Sequence, residues 1–132
     1  MSTEENKAVV RRFLSEFLAD GKLAAIDEVL GPSYVNRALG ADLEAFKGFL
    51  PAIAALPLRR FDIGELVAEG DAVVARLTIE MANSAGETVS APGMTYYRLA
   101  DGKIVEDDPI TTPDLVQELR RLLPAPATTG GR

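Results

Sequence analysis

The chain predicts an α+β fold, with helices packed on one face of a curved, mostly antiparallel sheet. Three observations carry that expectation. Early in the chain apolar residues recur every three or four positions, the period of a helix with one buried face. From Arg60 onward they alternate with polar residues, the period of a half-buried strand. Asp101-Gly102 then stands between two apolar runs, and an Asp-Gly pair accepts the positive φ values that a two-residue hairpin demands.

Taken in order, Ser2 and Glu5 fit a capping box that opens a helix. Val10, Phe13, Leu14, Phe17 and Leu18 form its apolar stripe, and Asp20-Gly21 ends it. A shorter helix is predicted over Leu23 to Leu30, closed by Gly31-Pro32, and the two read as a helical hairpin. Tyr34-Val35-Asn36-Arg37 reads as a short extended piece. Asp42 opens a third helix through Phe46, Phe49 and Leu50, with a kink or break expected at Pro51. Strands follow over Arg60 to Glu69, Ala72 to Ala82 and Glu87 to Leu99, the last with a bulge or bend expected at Ala91-Pro92-Gly93. After the hairpin, Pro113 or Asp114 starts a closing helix carrying Leu115, Val116, Leu119, Leu122 and Leu123. One domain is expected over 1–123, and the Pro/Ala/Thr/Gly composition of 124–132 suggests a flexible tail.

Composition narrows the chemistry. The net charge of −6 argues against nucleic acid, which needs a basic face. Arg11-Arg12, Arg59-Arg60 and Arg120-Arg121 read as solvated faces of amphipathic segments. No apolar run approaches the roughly 20 residues of a membrane span, and the polar, acidic start shows no signal-peptide pattern. The lack of cysteine suits a cytoplasmic protein. With no histidine either, the usual Ser-His-Asp, Cys-His and zinc systems lose their parts. Any catalysis falls to carboxylates, Tyr, Lys, Arg or placed dipoles; for an enzyme, acid/base chemistry without a cofactor is the expectation.

Four segments carry a family resemblance. They are Glu5-Asn6-Lys7 through Val10-Arg11-Arg12-Phe13, Ala19-Asp20-Gly21-Lys22-Leu23 through Leu30, Glu69-Gly70-Asp71 through Arg76, and Asp101-Gly102-Lys103-Ile104-Val105-Glu106. In that order and spacing the chain through about Leu123 resembles the SnoaL-like polyketide cyclases of the nuclear transport factor 2-like fold group. The resemblance implies a cone-shaped α+β barrel, a homodimer formed through the sheet, a mostly apolar pocket and no metal. It implies aldol ring closure on a polyketide-like metabolite of secondary metabolism, with a carboxylate near the end of the last strand as acid and base. Relatives carry histidine where this chain reads Tyr34-Val35-Asn36-Arg37, and their acid would fall near Pro109.

The candidate catalytic residues are therefore Asp107, Asp108, Tyr34, Asn36 and Arg76. Neighbouring strand residues face opposite ways, so at most one of Asp107 and Asp108 meets the pocket, and alternation with Val105 favours Asp107. Tyr34 and Asn36 share a face and resemble the Tyr-x-Asn pair of limonene-type epoxide hydrolases, which holds a nucleophilic water. Those enzymes add an Arg-x-Asp pair in the central strand, where this chain has Arg76 and Thr78. Arg76 and Glu80 share the polar side of their strand, either paired on a surface or aimed at substrate. Phe13, Phe17, Phe46, Leu50 and Met94 read as core residues, some of them lining the pocket, and of Tyr96 and Tyr97, which alternate faces, one lines it, with Tyr96 the candidate. Cyclisation or isomerisation of an apolar, oxygenated metabolite is the leading expectation. Epoxide hydrolysis and a non-catalytic binding or dimerisation module are the alternatives.

Overall fold

A computed structural model of the chain describes residues 2–124. Beyond Pro124, the expected tail lies outside the described residues. The elements are α1 (Thr3–Arg12), continued as a π-helix (Phe13–Ala19), a 3-10 helix (Leu23–Glu28), β1 (Leu30–Asn36), β2 (Ala41–Asp42), α2 (Leu43–Ala54), β3 (Leu58–Glu69), β4 (Ala72–Ala82), β5 (Thr88–Ala100), β6 (Lys103–Thr111) and α3 (Leu115–Leu122). The strands form one curved sheet in the order β2-β1-β6-β5-β4-β3. It is an open sheet rather than a closed cone. All pairings are antiparallel except β1 with β6.

Local chemistry explains most boundaries. The Ser2 hydroxyl accepts from the Glu5 N–H while the Glu5 carboxylate accepts from the Ser2 N–H, completing the capping box. Asp42 and Asp114 cap α2 and α3 by accepting from Ala45 and Gln117 N–H. The β5–β6 turn has Asp101 at φ 52° and Gly102 at φ 76°, the mirror-image turn that suits the twist of the strands. The core lies between the helices and the inner face of the sheet, where Val73, Ala75, Leu77, Ile79 and Met81 of β4 are buried.

Several expectations need correction. The second helix is a 3-10 turn that stops at Glu28, and Gly31 and Pro32 belong to β1. β1 lies beside β6, and a Cβ on Gly31 would sit 3.1 Å from the Val105 side chain, so glycine suits this close approach. α2 runs unbroken through Pro51, which is exposed while Leu50 and Ile53 on either side are buried. Packing of that face holds the helix past one missing N–H.

Pro92 makes no bulge. The β4–β5 register is continuous from Ala72↔Arg98 to Ala82↔Thr88. The Pro92 carbonyl accepts from Thr112 N–H, so its ring nitrogen also faces the β6 side, where that strand has just ended. The ladder to β4 never needs the N–H that proline lacks. Next to it a Cβ on Gly93 would lie 2.2 Å from the Ile110 carbonyl oxygen, so the backbones close on each other there.

Arg59 is no solvated charge. Half-buried, it donates to the carbonyls of Ala19, Ala54 and Leu56, tying the ends of the π-helix and α2 to β3.

Candidate functional site

Two features of the backbone bring the polar candidates together. The parallel pairing of β1 and β6 sets Asn36 beside Asp107. A bulge at Val105 shifts the β5–β6 register between Arg98↔Glu106 and Leu99↔Ile104. Without that extra residue Ile104 and Asp107 would point to opposite faces. With it both point inward, Ile104 into the core and Asp107 opposite Tyr97.

Asp107 is only 5% exposed. Its Oδ2 accepts a hydrogen bond from the Tyr34 hydroxyl at 2.7 Å. Asn36 Nδ2 donates to the same hydroxyl at 3.4 Å, and Asn36 Oδ1 accepts from Leu39 N–H. Phe46 of α2 packs against the Tyr34 ring, centroids 4.9 Å apart, and fixes it from above. Among the described residues no cation reaches Asp107, and Tyr34 is its sole side-chain donor. Burial therefore pushes the Asp107 carboxyl from 3.8 up to about 7; the Tyr34 hydrogen bond opposes that rise and the charge of Asp108 adds to it. Tyr34 is pushed up as well, by burial first and then by the charge of Asp107, so it stays a protonated donor.

Asn36 and Asp107 of this cluster form part of the polar floor of a cavity with apolar walls, and Tyr34 stands behind them without lining it. Asn36, Thr95, Tyr97 and Asp107 line it from the sheet, with Leu77, Ile79, Met81 and Phe61 beside them. Leu14 and Leu18 of the π-helix, Phe46, Phe49 and Ile53 of α2, and Leu115, Val116 and Leu119 of α3 close it over. The π-turn, in which Asp20 N–H reaches back to the Ser15 carbonyl, lies over the cavity, a common place for such segments. The cavity volume is about 70 Å³.

The other candidates are placed differently. Asp108 is half-buried on the opposite side of β6, paired with Tyr96. Arg76 is exposed on the outer face, while the inner positions beside it are Ala75 and Leu77. Glu80 is on that outer face too, but its ion-pair partner is Arg60, at 2.8 Å. Met94 and Tyr96 also point outward. Phe13, Phe17 and Leu50 are buried in the core and do not line the cavity, so Phe46 alone of the expected lining residues does. Tyr97, not Tyr96, is the pocket tyrosine. The signal was present: Val89, Ala91, Tyr97 and Leu99 mark the odd positions of β5 as the inner face, and Met94 and Tyr96 are even.

Among the described residues, no cluster of three or more acidic, histidine or cysteine side chains could hold a metal ion. No helix among them is long and apolar enough to cross a membrane.

Helices over a curved antiparallel sheet, with a pocket between, define the class, and comparison with known proteins gives the family. Residues 10–107 match the SnoaL-like domain, so the chain belongs to that family. A candidate polyketide cyclase from Acidithiobacillus ferrooxidans shares 25% identity at a TM-score of 0.71, over 92% of this chain and 99% of that one. A candidate SnoaL-like polyketide cyclase from Jannaschia sp. CCS1 shares 23% at 0.73, over 95% of each chain. A limonene-type epoxide hydrolase relative from M. tuberculosis shares 20% at 0.74, over 90% of this chain and 92% of that one. No curated protein matches in sequence.

Proposed function

We propose that this protein is an enzyme that moves a proton on an apolar, oxygenated small molecule, as in aldol cyclisation or isomerisation, without a cofactor. Asp107 is the acid and base, and Tyr34, backed by Asn36, holds its carboxyl in place. The observation that carries this reading is the cation-free burial of Asp107 at the floor of an apolar cavity, with its carboxyl raised to about 7. A group balanced between its two forms near neutral pH both accepts and returns a proton efficiently. The test is exchange of α-hydrogens for deuterium in a panel of ketones and β-dicarbonyl compounds, followed by NMR. Exchange should be lost in Asp107→Asn and retained in Asp108→Asn. Equal exchange by wild type and Asp107→Asn would sink the reading, and no exchange by wild type would favour a non-catalytic binding module.

Epoxide hydrolysis is the second reading. The convergence of Tyr34, Asn36 and Asp107 could hold a water, and the M. tuberculosis relative supports it. Against it, Arg76 and Thr78 point away from the cavity, so among the described residues no second acid or guanidinium meets an epoxide oxygen there. Diol formation carrying oxygen from labelled water would revive it.

The same proposal includes pairing of two copies through the outer sheet face, where Met94 and Ile110 are exposed side by side. Light scattering of wild type and Ile110→Glu tests it: a dimer that becomes a monomer is expected, and a monomeric wild type would refute it.

A further inference from the structure

A proton leaving carbon leaves negative charge behind, and few groups around this cavity can receive it. The Tyr34 O–H is committed to Asp107. Asn36 gives one of its two amide N–H groups to Tyr34 and its carbonyl accepts from Leu39, which leaves it one further donor. Tyr97 is different. It sits directly across the β5–β6 ladder from Asp107, lines the cavity, and is only 2% exposed. Its ring is held edge-on against Phe13, centroids 6.2 Å apart. Thr95, on the same face, also lines the cavity, and its hydroxyl favours the ionised form of Tyr97, as a donor to the tyrosine oxygen would. Burial, and then the charge of Asp107, push the Tyr97 hydroxyl well above its ordinary range, so it stays protonated and able to donate.

We propose that Tyr97 is a catalytic residue whose hydroxyl donates a hydrogen bond to the carbonyl oxygen of an uncharged, enolisable substrate. This rests on the acid/base reading of Asp107. The C–H bond beside the carbonyl breaks, its proton goes to the Asp107 carboxylate, and the electron pair becomes an enolate whose oxygen Tyr97 holds. The enolate carbon then regains the proton at another position, or attacks a second carbonyl of the same molecule. In the latter case Asp107 gives its proton to the new alkoxide. The substrate is uncharged because, among the described residues, no lysine or arginine lines the cavity, so a carboxylate or phosphate would be desolvated there without a partner.

The probe is 4-nitrophenol, whose phenolate mimics an enolate and absorbs in the visible. It is titrated into Asp107→Asn, where the neutral amide imitates the protonated acid. Phenolate binding is expected there, weakened about tenfold or more when Tyr97→Phe is added. Benzoate, of similar size, should bind far more weakly than the phenolate. Equal phenolate binding with and without Tyr97→Phe, or no binding at all, would overturn the proposal for Tyr97. Benzoate binding as tightly as the phenolate would overturn the uncharged substrate class. Should the double variant not fold, 3-fluorotyrosine placed at position 97, a more acidic donor of nearly the same shape, gives the same decision: tighter binding supports the role and unchanged binding removes it. None of these outcomes touches the role of Asp107, which stands or falls on deuterium exchange.

Discussion

Glu106 and Asp107 are neighbours on β6 and live in opposite surroundings. Glu106 accepts from Arg37 at 3.1 Å and from Arg98 at 3.2 Å on the outer face. The Arg37 hydrogen bond above all, with that of Arg98, holds its carboxyl below the usual glutamate range. Asp107, turned inward, meets a hydroxyl, an apolar cavity and no cation. The two residues differ by one methylene; the alternation of the strand and the bulge at Val105 do the rest. A reactive carboxyl here comes from withholding a counter-charge while keeping one hydrogen bond.

The largest expected effect comes from removing the inner charge. Asp107→Asn should lower turnover of an identified substrate by roughly 10²–10⁴-fold. It should also stabilise the protein at alkaline pH. The folded pKa of about 7 is above the unfolded 3.8, so the stability linked to this group is fully present below 3.8 and lost as pH rises through about 7. At about 1.36 kcal/mol per pH unit, the wild type gives up roughly 4 kcal/mol at most across that window, and the asparagine variant does not. Urea denaturation of both proteins at pH 5 and pH 8.5 measures the part of it above pH 5, roughly 3 kcal/mol. Parallel stabilities at the two pH values would mean that the carboxyl is not raised.

Tyr34→Phe comes next. The hydroxyl favours the charged carboxyl, so without it the Asp107 titration moves above about 7. Above that pH a buried charge loses its donor, at a cost of roughly 1–3 kcal/mol. Carboxyl carbon NMR against pH reports the shift, and an unmoved titration would detach Tyr34 from the acid.

How much of this was legible in the sequence follows from the range of the interactions. Short-range chemistry reads directly: the Ser2 capping box, the Asp101-Gly102 turn and the alternation of Ala72 to Ala82 are set by neighbours in sequence. Tyr34 and Asn36 were also accessible, because strand parity puts both on one face; parity with Val105 favoured Asp107, but its inward turn depends on a bulge at that residue which the sequence does not announce. The prolines misled. Pro32, Pro51 and Pro92 each remove an N–H, and whether that matters depends on what lies opposite, which the sequence does not print. Arg59 misled similarly, since its partners are helix ends brought to it by the fold. Tyr97 was within reach of the β5 pattern, since the register passes unbroken through Pro92-Gly93, where a bulge or bend was expected.

On the outer face the effects shrink. Glu106→Gln should cost at most about 1 kcal/mol at neutral pH, because both arginine partners are substantially exposed. The sign of its pH dependence opposes that of Asp107. A carboxyl lowered below its unfolded 4.5 contributes stability above that pH and loses it as pH falls through the folded value. Acid denaturation of wild type and Glu106→Gln should therefore converge as the pH falls through that lowered value. Persistent separation at low pH would assign the effect to packing instead of charge.

The smallest effect separates the two aspartates most sharply. Asp108 touches the site only through its charge, which adds to the rise at Asp107. Asp108→Asn should therefore lower the Asp107 titration slightly, shift the pH profile of turnover the same way, and leave the maximal rate close to wild type. Stability should change by less than about 0.5 kcal/mol, as for an ordinary surface substitution. Salt gives a second handle: screening between a half-exposed charge and a buried one is partial, so raising ionic strength on the wild type should move the profile in the same direction by a smaller amount. A collapse of activity in Asp108→Asn with Asp107→Asn unaffected would show that β6 presents its other face to substrate, and would take the bulge at Val105 out of the argument.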